Sequence, residues 1–246
     1  MKALQGKVAL VTGGLGTLGR AQASKLAAEG AAVIILDRPG LEAPGPIEGL
    51  GENVRFLGCD LNDLERSEHL IRLEAEAPGG IDILINNAAL IINKPFQEFS
   101  LAEYEDQIRV NSSAAFAAVR ACADVMKRKR RGKILNFASI TLNGQWDGYV
   151  PYVASKGAMI GLTKSLAREL GPFGINVNAI SPGAVVSEAE NRVFADRLQQ
   201  YNDWVLERQC LKTRVTPEDV AELVYFLVSP ASDMITGQNF AIDGGW

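Results

Sequence analysis

With 246 residues, 47% of them apolar and 22% charged, the chain can bury a sizeable core, which excludes wholesale disorder. The net charge of −4 argues against general nucleic-acid binding, and Cys59, Cys122 and Cys210 lie too far apart for a disulfide or zinc framework, which favours a reducing, cytoplasmic setting. No stretch reaches the roughly 18 unbroken apolar residues of a membrane span, and the apolar run in MKALQGKVALVTGG is too short for a signal peptide.

In chain order, KVALVTG (7–13) reads as a strand that runs into the turn TGGLGTLGR (12–20) and a helical segment ending near Gly30. Further strands follow at 31–37, 54–60, 81–87, 132–139, 175–180 and 239–243. Most are apolar at nearly every position, as in strands buried on both faces of a parallel sheet. The Pro- and Gly-rich segment 38–53 predicts a loop where a crossover helix would otherwise stand. Ser100 and Glu103 form a capping-box pattern that opens one long helical segment, 101–131. Its basic end, KRKRR (127–131), suits the negative end of the helix dipole. The helix after Tyr152 ends at Gly171-Pro172, and another opens at Thr216, Pro217 and Asp219 and closes at Pro230. The alternation predicts one α/β domain over 1–246: a doubly wound, mostly parallel, seven-stranded Rossmann-like sheet with helices on both faces.

Gly14, Gly16 and Gly19 satisfy G-x-G-x-x-G between a strand and a helix, the context that a dinucleotide turn requires. Glycine lets the backbone approach a pyrophosphate, and the helix start offers free N–H donors. A plain strand–helix turn is the alternative. Asp37 ends the second strand, where a carboxylate accepts ribose hydroxyls and repels a 2′-phosphate. NAD is therefore favoured over NADP, with the neighbouring Arg38 as the opposing signal.

The segment YVPYVASKG (149–157) holds two tyrosines, and only Tyr152 has a lysine four residues on, at Lys156. Residues i and i+4 share a helix face. A phenol titrates near pH 10, and a nearby ammonium lowers that value. Tyr152 is thus the chemical candidate, and Tyr149, ahead of Pro151, lines the site or packs. Ser139 ends the strand thirteen residues earlier, at the sheet edge where ligands of open parallel sheets sit.

These residues resemble the short-chain dehydrogenase/reductase family over essentially the whole chain. YVASK (152–156) with Ser139, NNAA (86–89), VNSSA (110–114), CDLND (59–63), SPGAVVS (181–187) and ITGQNFAIDGG (235–245) carry the resemblance. It implies a catalytic set of Asn111, Ser139, Tyr152 and Lys156, with Tyr152 as general acid/base, Lys156 on the nicotinamide ribose and Asn111 holding a relay water. It implies cofactor contacts from Gly13, Gly14, Leu15, Gly16, Thr17, Leu18 and Gly19, from Asp37, Arg38, Asp60 and Leu61, and from Asn87, Ala88 and Ala89. Pro182, Gly183, Val185 and Ser187 would hold the nicotinamide with Tyr152 and Lys156. Two positions depart from the compact members' pattern: Thr17 and Ala89 stand where glycine is usual. No metal is implied. A homotetramer is, with helices around 101–131 and 152–170 pairing through Ala154, Gly157, Ala158 and Gly161.

The substrate side is expected from loops beyond the strand ends, with 184–215 as a helical lid carrying Tyr201 and Trp204. Ser139, Gln145, Trp146, Tyr149, Tyr152, Glu188 and Asn191 are the candidate substrate contacts. Their polar character favours a small hydroxylated substrate, such as a sugar, sugar acid or hydroxy acid. An NADPH-linked acyl-carrier-protein ketoreductase is the alternative within enzymes, and a non-catalytic dinucleotide-binding redox sensor the alternative outside them. His69, the one histidine, has no assigned role.

Overall fold

The apolar runs form a single sheet because each is apolar on both faces and has a helix-forming segment to cover it. The computed structural model describes residues 2–40 and 50–246. Its strands are β1 (Val8–Thr12), β2 (Ala32–Asp37), β3 (Val54–Gly58), β4 (Ile83–Asn86), β5 (Gly132–Phe137), β6 (Ile175–Pro182) and β7 (Asn239–Ile242). The order across the sheet is β3-β2-β1-β4-β5-β6-β7. Every pairing is parallel, β6 with β7 included, so the mostly parallel sheet that the sequence predicts is parallel throughout. The chain direction across the sheet reverses between β1 and β4, and the crevice beyond their carboxyl ends is where such folds take ligands.

Helices cover both faces: α1 (Thr17–Ala28), α2 (Leu64–Glu76), α3 (Leu101–Ile108), α4 (Ala114–Lys129), α5 (Val150–Leu170), α6 (Glu188–Phe194), α7 (Leu198–Arg208) and α8 (Pro217–Val228). Two apolar clusters result, one centred on Val11, Ile35 and Val224 and one on Leu10, Ile71 and Met126. Successive residues of one strand, Leu10 and Val11, therefore serve opposite cores.

The predicted helix 101–131 differs in its middle. A π-helical turn, Arg109–Ser113, separates α3 from α4. The capping boxes at Ser100/Glu103 and Thr216/Asp219 both close reciprocally. Lys94 beside Glu103, with the Ser100 bonds, holds that carboxyl down at about 2. Much of the predicted loop 38–53 lies outside the described residues.

Candidate active site

Asn87 joins the carboxyl ends of β1 and β4. Its Nδ2 donates to the carbonyls of Thr12 (3.0 Å) and Gly13 (3.1 Å), and its Oδ1 accepts from Gln22 Nε2 at 2.9 Å. The glycines of the turn that follows are not equivalent. A Cβ on Gly14 would meet Ile35 Cγ2 at 2.5 Å, and one on Gly19 would meet the Gly13 carbonyl at 2.4 Å. Both glycines are required by protein packing. A Cβ on Gly16 would meet only the Gly13 carbonyl, at 3.6 Å, an ordinary contact. Packing therefore does not explain Gly16, whereas a cofactor phosphate resting on the backbone at the start of α1 would. Leu15 and Leu18 turn their side chains to the core. Asp37 Oδ2 accepts from Leu15 N (3.0 Å) and its Oδ1 from Arg38 N (2.8 Å), so the carboxylate braces the turn and keeps lone pairs for a ribose. These residues fit a dinucleotide.

Thr17 opens α1 and accepts a hydrogen bond from Glu188 N at 3.3 Å. The residue that replaces the usual glycine thus ties the turn to α6. Ala88 packs against Gly13, where a Cβ would meet its Cα at 2.7 Å, while Ala89 is exposed. Asp60 caps a turn by accepting from Asn62 N (2.9 Å), and Leu61 is buried under it. Gly183 N donates to Ile242 O at 2.8 Å, and Ser187 caps α6 by accepting from Glu190 N at 3.2 Å. Pro182 ends β6, and Val185 pairs with Val215 in an isolated parallel bridge that closes the base of 184–215.

Ser139, Tyr149 and Tyr152 line one cavity of about 130 Å³. Ser139 Oγ accepts from Thr141 N (3.2 Å) and from Thr141 Oγ1 (3.0 Å). With both acceptor sites used, its remaining function is to donate, and the Tyr152 side chain lines the same cavity. Burial raises the Tyr152 pKa, and the Ser139 hydroxyl opposes that rise. Tyr149 is pushed up by burial, Tyr201, Tyr152 and Glu190. Tyr149 and Tyr152 sit 6.0 Å apart, ring centre to ring centre.

Lys156 Nζ lies 5.5 Å from the centre of the Tyr152 ring and donates to the Phe137 carbonyl at 2.8 Å. Burial brings its own pKa down to about 7, and it is not among the groups that shift the phenol. The i, i+4 spacing places the two side chains on one face, and burial disfavours the charged form of the lysine.

Asn111 sits in the π turn. Its Oδ1 accepts from Leu90 N (2.6 Å), and its Nδ2 donates to Leu90 O and to Ser155 Oγ, both at 3.0 Å. Ser155 Oγ in turn donates to Tyr152 O at 2.6 Å. Asn111 therefore holds the loop after β4 and the catalytic turn of α5 in one frame. A buried ladder, Asn86 to Asn136 (2.8 Å) to Thr163 (2.9 Å), ties β4, β5 and α5 together below it.

Three predicted substrate contacts lie elsewhere. Gln145 is exposed. Glu188 is exposed, and its backbone is bonded to Thr17. Asn191 faces a separate cleft on the outer side of α6 and α7. The helical turn of α6 puts Glu190, Val193 and Phe194 on the cavity instead. Glu190 is paired with Arg214, with side chains only 7% and 12% exposed. Arg214 also donates to Ala184 O (3.0 Å) and to Asn202 Oδ1. Glu190 and Arg214 were not predicted, because charged residues in a helical segment read as solvent-facing.

Trp246 was also not predicted. It stacks on Trp146 at 4.7 Å and lies 5.1 Å from Trp204, while Trp146 meets Trp204 edge-on at 5.5 Å. All 3 tryptophans of the chain thus share one cluster beside the cavity. Tyr201 stacks between Phe194 and Trp204. A larger cavity of about 540 Å³ lies at the other end of the sheet, near Lys7, Gly132 and Ile175, and holds none of these groups.

A sequence-family profile described as Enoyl-(Acyl carrier protein) reductase matches residues 14–246. The 3-oxoacyl-acyl-carrier-protein reductase FabG of Aquifex aeolicus is 36% identical over 98% of this chain and 98% of its own. The D-xylose 1-dehydrogenase of Caulobacter vibrioides is 32% identical over 99% of this chain and 96% of its own. A crystal structure of a putative NAD(P)-dependent gluconate 5-dehydrogenase from Beutenbergia cavernae, with NADP bound at low occupancy, superposes with a TM-score of 0.89 at 32% identity. It covers 99% of this chain and 98% of that one.

Proposed function

The chain belongs to the short-chain dehydrogenase/reductase family and is an NAD(P)-dependent oxidoreductase of CH–OH groups; from that premise we propose that it is an NAD-favouring dehydrogenase of a small, hydroxylated secondary alcohol. One observation carries the reading. Ser139 has both acceptor sites filled by Thr141, which leaves its donor for a ligand, and it lines one walled cavity with Tyr152, an arrangement that can hold a substrate oxygen between two hydroxyls.

A bound nicotinamide supplies the hydride acceptor or donor. Tyr152 takes the hydroxyl proton of the alcohol in oxidation, or gives it to the carbonyl oxygen in reduction. With substrate bound, Ser139 donates its single proton to that same oxygen. Lys156, anchored on Phe137 O, is placed to bind the nicotinamide ribose and to pass the proton onward. Asn111, bonded to Ser155, keeps that path in register and would hold a relay water. The 184–215 segment acts as the lid, closed over the cavity by the tryptophan cluster.

Asp37 supports NAD, because its lone pairs suit a 2′-hydroxyl and its charge opposes a 2′-phosphate. The NADP in the Beutenbergia structure and the exposed Arg38 here favour the other cofactor. Initial rates with each cofactor decide: NAD is expected to be the better one, Asp37→Ser should narrow the gap, and equal wild-type rates would refute the preference. The acyl-carrier-protein reductase reading is favoured by the Aquifex relative. Acetoacetyl thioester reduced faster than any sugar-like alcohol is oxidised would select it.

The outer faces of α4 and α5 support a homotetramer. A Cβ on Gly161 would meet nothing within 4 Å, and Phe116 and Val150 are exposed, so a second helix can approach closely. Light scattering tests this, and a stable monomer would exclude it.

A further inference from the structure

We propose that Glu190 is a specificity-determining residue that accepts a hydrogen bond from a second hydroxyl of the substrate, so that neutral polyols are preferred to mono-alcohols and to hydroxy acids. The inference rests on the dehydrogenase reading above and narrows its substrate class.

Three segments of the chain carry a Ser/Thr-x-x-Glu/Asp signature at a helix start: 100–103, 187–190 and 216–219. In the first and third, the acidic side chain turns back to the cap residue's N–H and completes the box. At the second, Ser187 still accepts from Glu190 N, but the Glu190 carboxylate turns to Arg214. It forgoes the local bond that its sequence offers, and Glu190 lines the cavity shared with Ser139 and Tyr152. A carboxylate that leaves an exposed cap for a site where it is 8% exposed loses hydration, and Arg214 replaces part of it.

Arg214 lines only the outer cleft, whereas Glu190 lies between the two and lines both that cleft and the cavity. The polar group that this pair offers to a substrate is thus the acceptor-only carboxylate. A hydroxyl can donate to it, whereas a substrate carboxylate brings only acceptors and like charge. The neighbouring walls are aromatic and aliphatic, with Trp146, Tyr149 and Ile140 among them. Such walls suit the C–H face of a hydroxylated carbon skeleton between the two polar ends.

Matched cyclic probes test this: cyclohexanol, the cyclohexanediol isomers and hydroxycyclohexanecarboxylate, each oxidised with NAD and with NADP. The best diol is expected to exceed cyclohexanol in kcat/KM by about tenfold or more, the size of one hydrogen bond to a charged group, with the hydroxy acid poorest. Glu190→Gln should cut the diol-to-cyclohexanol ratio about tenfold, mainly through the diol's KM, and Glu190→Asp should recover part of it. Tryptophan emission and a thermal midpoint show whether each variant is folded, and the wild-type ratios need no variant. A wild-type enzyme that oxidises cyclohexanol as well as any diol, or a ratio unmoved in folded Glu190→Gln, would overturn the inference while leaving the dehydrogenase reading intact. No oxidation of any alcohol with either cofactor would instead remove the underlying reading.

Discussion

The glycine turn and the 184–215 segment meet at the Thr17–Glu188 hydrogen bond, yet they are built in opposite ways. The turn is shaped by backbone: Gly14 and Gly19 leave no room for a Cβ, and Asn87 and Asp37 hold backbone amides and carbonyls nearby. The 184–215 segment is held by side chains, its own and those of Trp146 and Trp246 from remote parts of the chain. Arg214 closes it on Ala184 and Glu190, and Trp146 and Trp246 pack on Trp204. Backbone complementarity suits a constant partner such as a dinucleotide. Side-chain packing can be exchanged piece by piece, which is how one fold takes many substrates.

The largest expected effect breaks the chemistry and leaves both regions standing. Tyr152→Phe should lower turnover by about 100- to 10,000-fold with the far-UV spectrum unchanged; a loss under tenfold would mean that another group moves the proton. Next, the turn can be split into its two kinds of glycine. Gly19→Ala forces a Cβ to 2.4 Å from a carbonyl and should cost about 1–3 kcal/mol in denaturant unfolding. Gly16→Ala should leave stability nearly unchanged and weaken cofactor binding, read by quenching of tryptophan emission. Equal destabilisation by both would remove the argument that Gly16 is kept for a ligand.

Lys156 tests the cost of function. Unfolded, its pKa is near 10.5; folded, burial brings it to about 7. Between those values the unfolded chain binds more protons, so this group makes stability rise with pH through that window and fall again as pH drops toward 7. Lys156→Met should abolish turnover, flatten that slope and raise the thermal midpoint at neutral pH by a few degrees. For Tyr152, the raised pKa means that the neutral phenol dominates at neutral pH. Oxidation, which needs the phenolate, should quicken as pH rises, and reduction, which uses the phenol, should slow. The smallest effect belongs to the contact between the two regions: Thr17→Val removes one exposed hydrogen bond and should raise substrate KM only about two- to fivefold.

Legibility divides along the same line. The Ser139–Tyr152–Lys156 set and the glycine turn could be read because their spacings are short-range consequences of one helix and one strand–helix turn. The pKa argument that came with them could not, since it depends on how deeply Lys156 is buried. The π turn at 109–113 has no signal in a helical pattern, and Glu188 and Asn191 were preferred to Glu190 because a one-residue choice on a helix is a 100° rotation that composition cannot set. The mutual contact of Trp146, Trp204 and Trp246 joins positions with no common periodicity.

By itself the sequence determined the parallel sheet, its crevice and the residues proposed here to bind a dinucleotide and move a proton, because apolar runs, glycines and i, i+4 pairs act over a few residues and do not depend on the rest of the chain. Only the tertiary structure decided how deeply Lys156 is buried, that Glu190 pairs with Arg214 and which aromatic rings wall the cavity. Desolvation and side-chain contact are set by neighbours tens to hundreds of residues away, and no local pattern encodes them.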